Sequence, residues 1–254
     1  MAAMLIALML AATPVSLSFD LASAATQSAA ASRPSVRRKH RSRRAPGPPS
    51  RRLWSLDARV ELVSDYRPGG ISETDGKPAL QAEFNVTHRS GVFATAFASS
   101  LAANGGDRVE LDLTAGSSNS VGKTTLSALT TAYLFPGVRH SSYLELGVGA
   151  ERRFGAASIG VSAAWSPPQA NIGHRPNLYL GIDGSVPVKG TLIVLDGSLG
   201  RENGAFGNHK LDWSAGGRVQ FKQLELSLAY VDARRTGHAP HSGATLIGGI
   251  ALTF

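Results

Sequence analysis

The sequence has 254 residues, of which only 17 % are charged, and its lack of cysteine excludes disulfides and Cys-based metal or redox sites. Its formal net charge of +8 comes from residues 1–52, which hold nine of the 26 basic residues and a single acid, Asp20. Residues 53–254 carry 17 basic and 17 acidic side chains, so no overall basic field indicates nucleic-acid binding.

The first 24 residues are predicted to be a secretory signal peptide. Met1 to Leu10 form an apolar run, and Ala22-Ser23-Ala24 supplies the small residues of a cleavage site. A spanning helix needs about 20 apolar residues, so this run is too short to cross a bilayer. Because no basic residue precedes the run, a membrane anchor is the alternative interpretation.

Residues 25–52 are rich in Ala, Ser, Pro and Arg. The arginines repel one another and the segment has little apolar surface to bury, so a disordered basic linker is predicted. An ordinary solvated linker is favoured over a cationic periplasmic tether to anionic lipid or cell-wall polymer. The export signal upstream argues against a nuclear-localisation or DNA-binding arm.

In residues 53–254, apolar and polar residues alternate with a period of two, which predicts β-strands. Short turns alternate with longer loops rich in Gly, Pro, Asn, His and Arg, which is the pattern of outer-membrane barrels. An even number of strands returns both ends of the barrel to the periplasm. Twelve strands are expected, at about 56–65, 79–88, 91–99, 108–117, 125–135, 142–152, 156–165, 177–186, 190–199, 208–221, 224–232 and 244–254.

One face of these strands is uncharged, as in Leu80, Ala82 and Phe84, whereas the other carries acids. A Lys or Arg on the lipid face costs about 2–4 kcal/mol at the bilayer midplane, so lipid enforces such segregation. A water-soluble barrel also alternates, but these acids are too many for a dry core. We therefore predict an all-β, antiparallel transmembrane barrel whose lumen is lined by Asp57, Arg59, Glu61, Asp65, Glu83, Glu110, Asp112, Glu145, Asp183, Asp212, Arg218 and Glu225.

Only Arg59 and Arg218 are basic among these lumen candidates, so a water-filled lumen is expected to favour cations. Aromatic residues near strand ends are expected to form girdles at the two membrane interfaces, with core packing as the alternative. These residues are Trp54, Trp165, Trp213, Tyr66, Tyr133 and Tyr230.

The last strand, Ala244 to Phe254, resembles the C-terminal insertion signal of bacterial outer-membrane barrels through Gly249, Leu252 and Phe254. Ile247 departs from that signal, which prefers a polar residue there. A last strand that pairs with the first leaves no open edge in lipid. The resemblance implies insertion by the barrel assembly machinery.

The stretch from Ser64 to Phe84, SDYRPGGISETDGKPALQAEF, resembles the most distinctive part of the Gcw_chp or TorF-type proteins, a proteobacterial family of outer-membrane proteins of unknown function. Pro68 and Gly69 depart from the family, which has an aromatic residue and then Arg before the next Gly. The resemblance extends over residues 55–254 and implies a barrel with a pore of no specified substrate. The loop residues singled out are Asp65, Tyr66, Gly70, Ser72, Asp75, Gly76 and Gln81.

Two interpretations of this first loop remain open. In one, it folds into the barrel mouth, with Asp65, Tyr66 and Asp75 hydrogen-bonded to the lumen wall. In the other, it is a structural hairpin in which glycines provide positive φ angles and Pro78 starts a strand.

Other motifs do not indicate a cofactor or metal site. Gly116 to Thr124 imitates a phosphate-binding loop, but five residues rather than four separate its glycines. His238 and His241 lack a third metal ligand nearby. No spacing selects a catalytic pair, whether His209 with Asp212 or His140 with Ser141, so no catalytic residue is assigned.

The favoured function is a narrow passive channel for small solutes in the outer membrane of a Gram-negative bacterium. The alternative is a closed structural or adhesion barrel whose lumen is filled by side chains and the first loop. An outer-membrane hydrolase is less favoured. Expected partners are outer-membrane lipid and lipopolysaccharide, the barrel assembly machinery and small solutes, and the oligomeric state is left open.

Overall fold

A computed structural model describes residues 53–102, 109–137, 140–237 and 239–254. The predicted signal peptide (residues 1–24) and basic linker (25–52) lie outside the described residues, as does His238. Within the described parts, no helix is both long and apolar enough to cross a bilayer.

The described residues form twelve strands that close into one antiparallel barrel, in which each strand pairs with its sequence neighbours and β1 pairs with β12. The predicted fold class is therefore confirmed. The strands are β1 (Trp54–Val63), β2 (Ala79–His88), β3 (Val92–Ser100), β4 (Val109–Val121), β5 (Thr124–Leu134), β6 (Tyr143–Phe154), β7 (Ala157–Ser166), β8 (Asn177–Pro187), β9 (Ile193–Gly204), β10 (Lys210–Phe221), β11 (Leu224–Arg234) and β12 (Thr245–Thr253).

The seam between the first and last strands is closed by backbone hydrogen bonds that involve the terminal residue. The N–H of Phe254 donates to the carbonyl oxygen of Ala58 at 2.8 Å, and the N–H of Ala58 donates back at 3.3 Å. Gly249 lies opposite Val63 in this register. A β-carbon at Gly249 would lie 2.7 Å from a carboxylate oxygen of Glu61 and closer still to the Ser227 hydroxyl, so a larger residue would displace these side chains.

The outward face of the barrel is apolar and exposed. Leu80 is 59 % exposed, Leu228 57 % and Leu246 64 %, whereas a water-soluble protein buries most such side chains. Polar side chains instead point inward, as Gln81 and Glu83 do on the strand that carries Leu80 and Phe84 outward. This inside-out distribution is the one that a lipid environment requires.

The connections differ between the two ends of the barrel. One end, here called the short-turn end, holds both barrel termini and the connections at residues 89–91, 122–123, 155–156, 188–192 and 222–223. The other, the loop end, holds longer connections that include residues 64–78 and 167–176, each with a 3₁₀ turn, Pro68–Gly70 or Ala170–Ile172.

Several predicted strand bounds were wrong, among them those of β1, β4 and β9, because strand pairing extends or shifts the elements. β4 continues to Val121, since only Gly122 and Lys123 form the turn to β5. β9 runs from Ile193 to Gly204 instead of 190–199, because Asn177 at the start of β8 pairs with Gly204. β1 ends at Val63, so Asp65 belongs to the first loop.

Candidate functional site

The half of the lumen nearer the short-turn end contains a group of ion-paired side chains, the arginine cluster: Arg59, Glu61, Asp196, Arg218 and Glu225. The Nη2 atom of Arg59 lies 2.9 Å from a carboxylate oxygen of Glu61 and 2.8 Å from one of Glu225. Arg218 lies 2.5 Å from Asp196 and 3.8 Å from Glu225. The Arg59 and Arg218 side chains are 28 % and 25 % exposed, so water reaches this part of the wall.

Nearer the loop end, inward side chains of β4, β5 and β6 form a buried acid–tyrosine layer: Glu110, Asp112, Tyr133, Tyr143 and Glu145. The two tyrosine rings stack with their centroids 4.6 Å apart. The Tyr133 hydroxyl donates to Glu145 at 3.1 Å, and Ser166 donates to its other oxygen at 3.2 Å. Because each buried polar group without a partner is costly, these hydroxyls stabilise the Glu145 carboxylate.

Apolar residues from two loops cover this layer. The Phe206 ring lies 5.1 Å from the Tyr143 ring, and Ile172 of the second 3₁₀ turn packs on both tyrosines. Apolar loop residues therefore separate the acid–tyrosine layer from the solvent at the loop end.

A buried ion pair joins β9 and β10 at the same level of the lumen as the acid–tyrosine layer. Lys210 Nζ lies 2.7 Å from Glu202, and each side chain is only 1 % exposed. Asn177 donates to the other Glu202 oxygen at 2.9 Å. Beside this pair, Asp212 accepts the Tyr179 hydroxyl at 3.2 Å. Sequence reasoning missed Lys210, although it lies two residues before Asp212 and so shares its inward face.

The first loop is braced around the Asp65 carboxylate. It accepts hydrogen bonds from Thr74 Oγ1 at 2.9 Å, from Ser72 Oγ at 2.5 Å and from Arg67 Nε. Ser72 also receives the N–H of Gly76 at 2.9 Å. The interpretation in which Asp65 is hydrogen-bonded to the lumen wall was wrong, because its hydrogen bonds lie within the loop. A carboxylate can organise so short a segment because it accepts several hydrogen bonds at once.

This loop lies across the mouth of the lumen. The Pro68–Gly70 turn contacts β10 and β11, and a β-carbon on Gly70 would lie 2.6 Å from Ala233 Cβ. On the opposite side, the buried Tyr66 ring lies 6.1 Å from Phe97 of β3. Burial, and then the neighbouring Glu110 carboxylate, raise the pKa of Tyr66 well above its usual value, so the phenol stays neutral.

Hydrogen bonds to the loop between β11 and β12 hold the first loop across the mouth. Ser72 N–H donates to the His241 carbonyl at 3.3 Å, and Arg67 donates to the Gly243 carbonyl at 2.7 Å. Asp75 pairs with the His241 ring at 3.0 Å on the exposed rim, not with the lumen wall as one interpretation had it.

The remaining sequence-predicted lumen residues lie on inward strand positions. Glu83 accepts a hydrogen bond from Asn85 at 2.6 Å, Gln81 donates to Ser99 at 3.2 Å, and Asp183 fills the space beside Gly160. Asp57 lies opposite Asn85 in the β1–β2 register. The inward face also holds charged residues that sequence reasoning did not select: Glu151, Arg153, Asp196, Glu202 and Lys210.

The aromatic residues divide between the two surfaces. Trp54, Trp165 and Tyr230 are exposed on the outward face near strand ends, as expected for girdles. Tyr66 and Tyr133 are instead buried inside the barrel, so the girdle expectation was wrong for these two. The Trp213 ring also faces outward, and the Arg234 guanidinium lies 6.0 Å from the centre of that ring.

One pair considered for catalysis, His209 with Asp212, does not assemble. His209 Nδ1 lies 3.2 Å from Arg201 on the outer side of β9, whereas Asp212 contacts Tyr179 inside the lumen. Over the described parts of the chain, no three His, Asp or Glu side chains are grouped to hold a metal ion. The stretch that imitates a phosphate-binding loop forms the end of β4 and a two-residue turn.

Comparisons with known proteins identify both a family and a fold. The family model described as "Bacterial protein of unknown function (Gcw_chp)" matches residues 50–247. The KdgM porin, solved in complex with disordered oligogalacturonate, is 6 % identical with a TM-score of 0.56 and covers 78 % of this chain and 98 % of its own. The NanC porin is 9 % identical with a TM-score of 0.51 and covers 79 % and 99 %. None of the curated proteins compared with the chain matches it.

Proposed function

Because this chain belongs to the Gcw_chp family of bacterial proteins of unknown function and has the fold of outer-membrane porins, we propose that it is an outer-membrane channel for small solutes that prefers cations. The family identified from Ser64 to Phe84 is confirmed, whereas membership of its TorF-type branch stays a prediction. In this proposal the short-turn end faces the periplasm of a Gram-negative cell. The barrel assembly machinery then recognises Gly249, Leu252 and Phe254, and lipopolysaccharide surrounds the loop end.

The observation that carries the proposal is the charge of the inward face. Acids there outnumber bases even after Arg153 and Lys210 are added to Arg59 and Arg218. A low-dielectric wall concentrates the field of such charges in the lumen, which attracts cations and repels anions. The inward acids are Asp57, Glu61, Glu83, Glu110, Asp112, Glu145, Glu151, Asp183, Asp196, Glu202, Asp212 and Glu225.

The first loop controls passage in this proposal. The barrel wall is held by continuous strand pairing, whereas the loop is held across the mouth by few bonds, among them those to His241 and Gly243 of the neighbouring loop. Displacing the loop opens a route past Tyr66 toward the arginine cluster. The acid–tyrosine layer lines that route and forms its constriction.

Conductance in planar bilayers tests the proposal. Under a salt gradient, the refolded mature chain is expected to give a reversal potential of cation-selective sign. Asp65→Ala removes the acceptor of three loop hydrogen bonds and is expected to raise conductance several-fold. Lys77→Gln, in the same loop with its side chain 72 % exposed and paired only within the loop at 3.6 Å, is the control and should leave conductance nearly unchanged. Anion selectivity in the parent chain contradicts the proposal.

Tight packing near the loop end favours a second candidate, a closed structural barrel. Tyr133 and Lys210 are fully buried there, and small barrels fill their interiors readily. This candidate predicts no conductance from the parent chain or from a variant with a short glycine-serine linker replacing residues 66–77. Both chains must show the heat-modifiable gel mobility of a folded barrel for that result to count.

A further inference from the structure

Basic side chains line the whole short-turn end of the barrel. Four of the five short turns carry a Lys or Arg of their own, and the turn at residues 155–156 follows directly after β6 with Arg152 and Arg153. The residues of these five turns, all of which the structure describes, include no acid. The exposed basic residues, here called the basic ring, are Arg89, Lys123, Arg152, Lys189 and Lys222.

Two members of the basic ring lie against the lipid-facing surface. The Arg152 guanidinium is 5.7 Å from the centre of the Phe154 ring, and Lys222 Nζ is 5.6 Å from that of Phe221. Both rings are exposed on the outward face. Aromatic rings mark the level of the lipid headgroups, and basic side chains near them extend their charges to that level. These two charges therefore lie at the perimeter of the barrel.

The first loop, at the other end of the barrel, has no such bias. In the first loop, Arg67 and Lys77 are balanced by Asp65, Glu73 and Asp75, with Arg67 bonded to Asp65 and Lys77 3.6 Å from Asp75. The single sign of charge is thus a property of the short-turn end and not of all connections.

We propose that the basic ring binds the phosphate groups of anionic phospholipids in the membrane leaflet that faces the short turns. Juxtamembrane Lys and Arg residues attract such lipids through their negative headgroups. Phospholipid is favoured over a cell-wall polymer because Arg152 and Lys222 rest on lipid-facing aromatic rings. This surface goes beyond the proposed channel function and shares with it only the placement of the barrel in a membrane.

Native mass spectrometry of the mature full-length chain, titrated with phosphatidylglycerol in detergent, tests the proposal. The test variant combines R89Q, K123Q, R152Q, K189Q and K222Q. The control variant, K77Q with R175Q and R235Q, removes basic residues from the loop end and keeps the same N-terminal segment. At low salt the test variant is expected to bind phosphatidylglycerol about fivefold more weakly for each charge that a lipid contacts, whereas the control binds like the parent.

Equal retention of phosphatidylglycerol by the parent and test variants overturns the proposal. So does loss of binding to purified peptidoglycan sacculi with lipid retention unchanged, since the partner is then the cell-wall polymer. If the five-residue variant does not fold, the double variant K123Q with K222Q replaces it in the titration. The salt dependence of lipid retention by the parent is measured beside it, and together they decide whether the basic ring binds the lipid. Conductance is measured in parallel, so failure of the channel proposal is recognised separately from failure of this one.

Discussion

The two halves of the lumen hold similar charged groups in different surroundings. In the arginine cluster, guanidinium groups face carboxylates and roughly a quarter of each arginine side chain is exposed. In the acid–tyrosine layer and the adjoining Lys210–Glu202 pair, the carboxylates are buried and contact hydroxyls or a single ammonium group. Solvent therefore stabilises charge in one half, whereas protein atoms must do so in the other.

This difference assigns separate roles to the two halves. Exposed ion pairs contribute little to stability because water already solvates their charges. A buried pair is different, because removal of one partner leaves the other charged and without solvent. We therefore expect substitutions at the loop end to change folding, and those in the arginine cluster to change mainly the electric field of the lumen.

The largest expected effect comes from the buried ion pair. Lys210→Met leaves Glu202 buried with only the Asn177 amide as a partner, so the free energy of unfolding should fall by about 3–5 kcal/mol. Arg218→Met is the matched substitution in the partly exposed half and should cost less, about 1 kcal/mol. Urea unfolding of the barrel refolded in vesicles measures both. If both variants lose the same free energy of unfolding, the two halves of the lumen do not differ in how they stabilise charge.

A smaller effect is expected where the first loop meets β11. Gly70 has φ +80° and its β-carbon position lies 2.6 Å from Ala233 Cβ, so Gly70→Ala combines backbone strain with a steric clash. The variant should lose about 1–3 kcal/mol of stability and conduct more than the parent, because the loop is displaced from the mouth.

Gly173→Ala controls for the backbone term. Gly173 has φ +71° with no atom near its β-carbon position, so it should show the strain without the displaced loop. If conductance rises in both variants, the rise does not depend on displacement of the first loop. That result contradicts the role assigned to the loop.

The barrel was predictable because lipid enforces a simple rule on every strand. Period-two alternation places Leu80 outward and Glu83 inward whichever residue begins the strand, so the strand number, the closed barrel and the inward face of the central residues followed from the sequence. The extent of each strand depends on its partners. Glu202 was assigned to a connection because its pairing with Tyr179 of β8 leaves no local signal.

The first loop was predictable only in part. Its glycines and its Asp, Ser and Thr residues indicated tight turns, but whether Asp65 bonds to the lumen wall or within the loop was left open, because a loop's hydrogen bonds depend on its three-dimensional path. Tyr66 and Tyr133 were placed in the interfacial girdle, although both are buried inside. Near a strand end, a shift of one residue moves a side chain to the other face, so the pattern there is ambiguous.

The smallest effect that distinguishes the two halves concerns a single hydroxyl group. Tyr133→Phe removes one of the two hydroxyls that donate to Glu145, but it keeps the stacked ring against Tyr143 and leaves the Ser166 bond. A hydrogen bond contributes about 0.5–1.5 kcal/mol net, and the remaining donor should hold the loss near the lower bound. Ser162→Ala, at an inward position of β7 that is only partly buried, is the control and should cost less. If Tyr133→Phe is no more costly in urea unfolding than this control, Glu145 does not depend on its buried hydroxyl donors, and burial does not distinguish the two halves of the lumen.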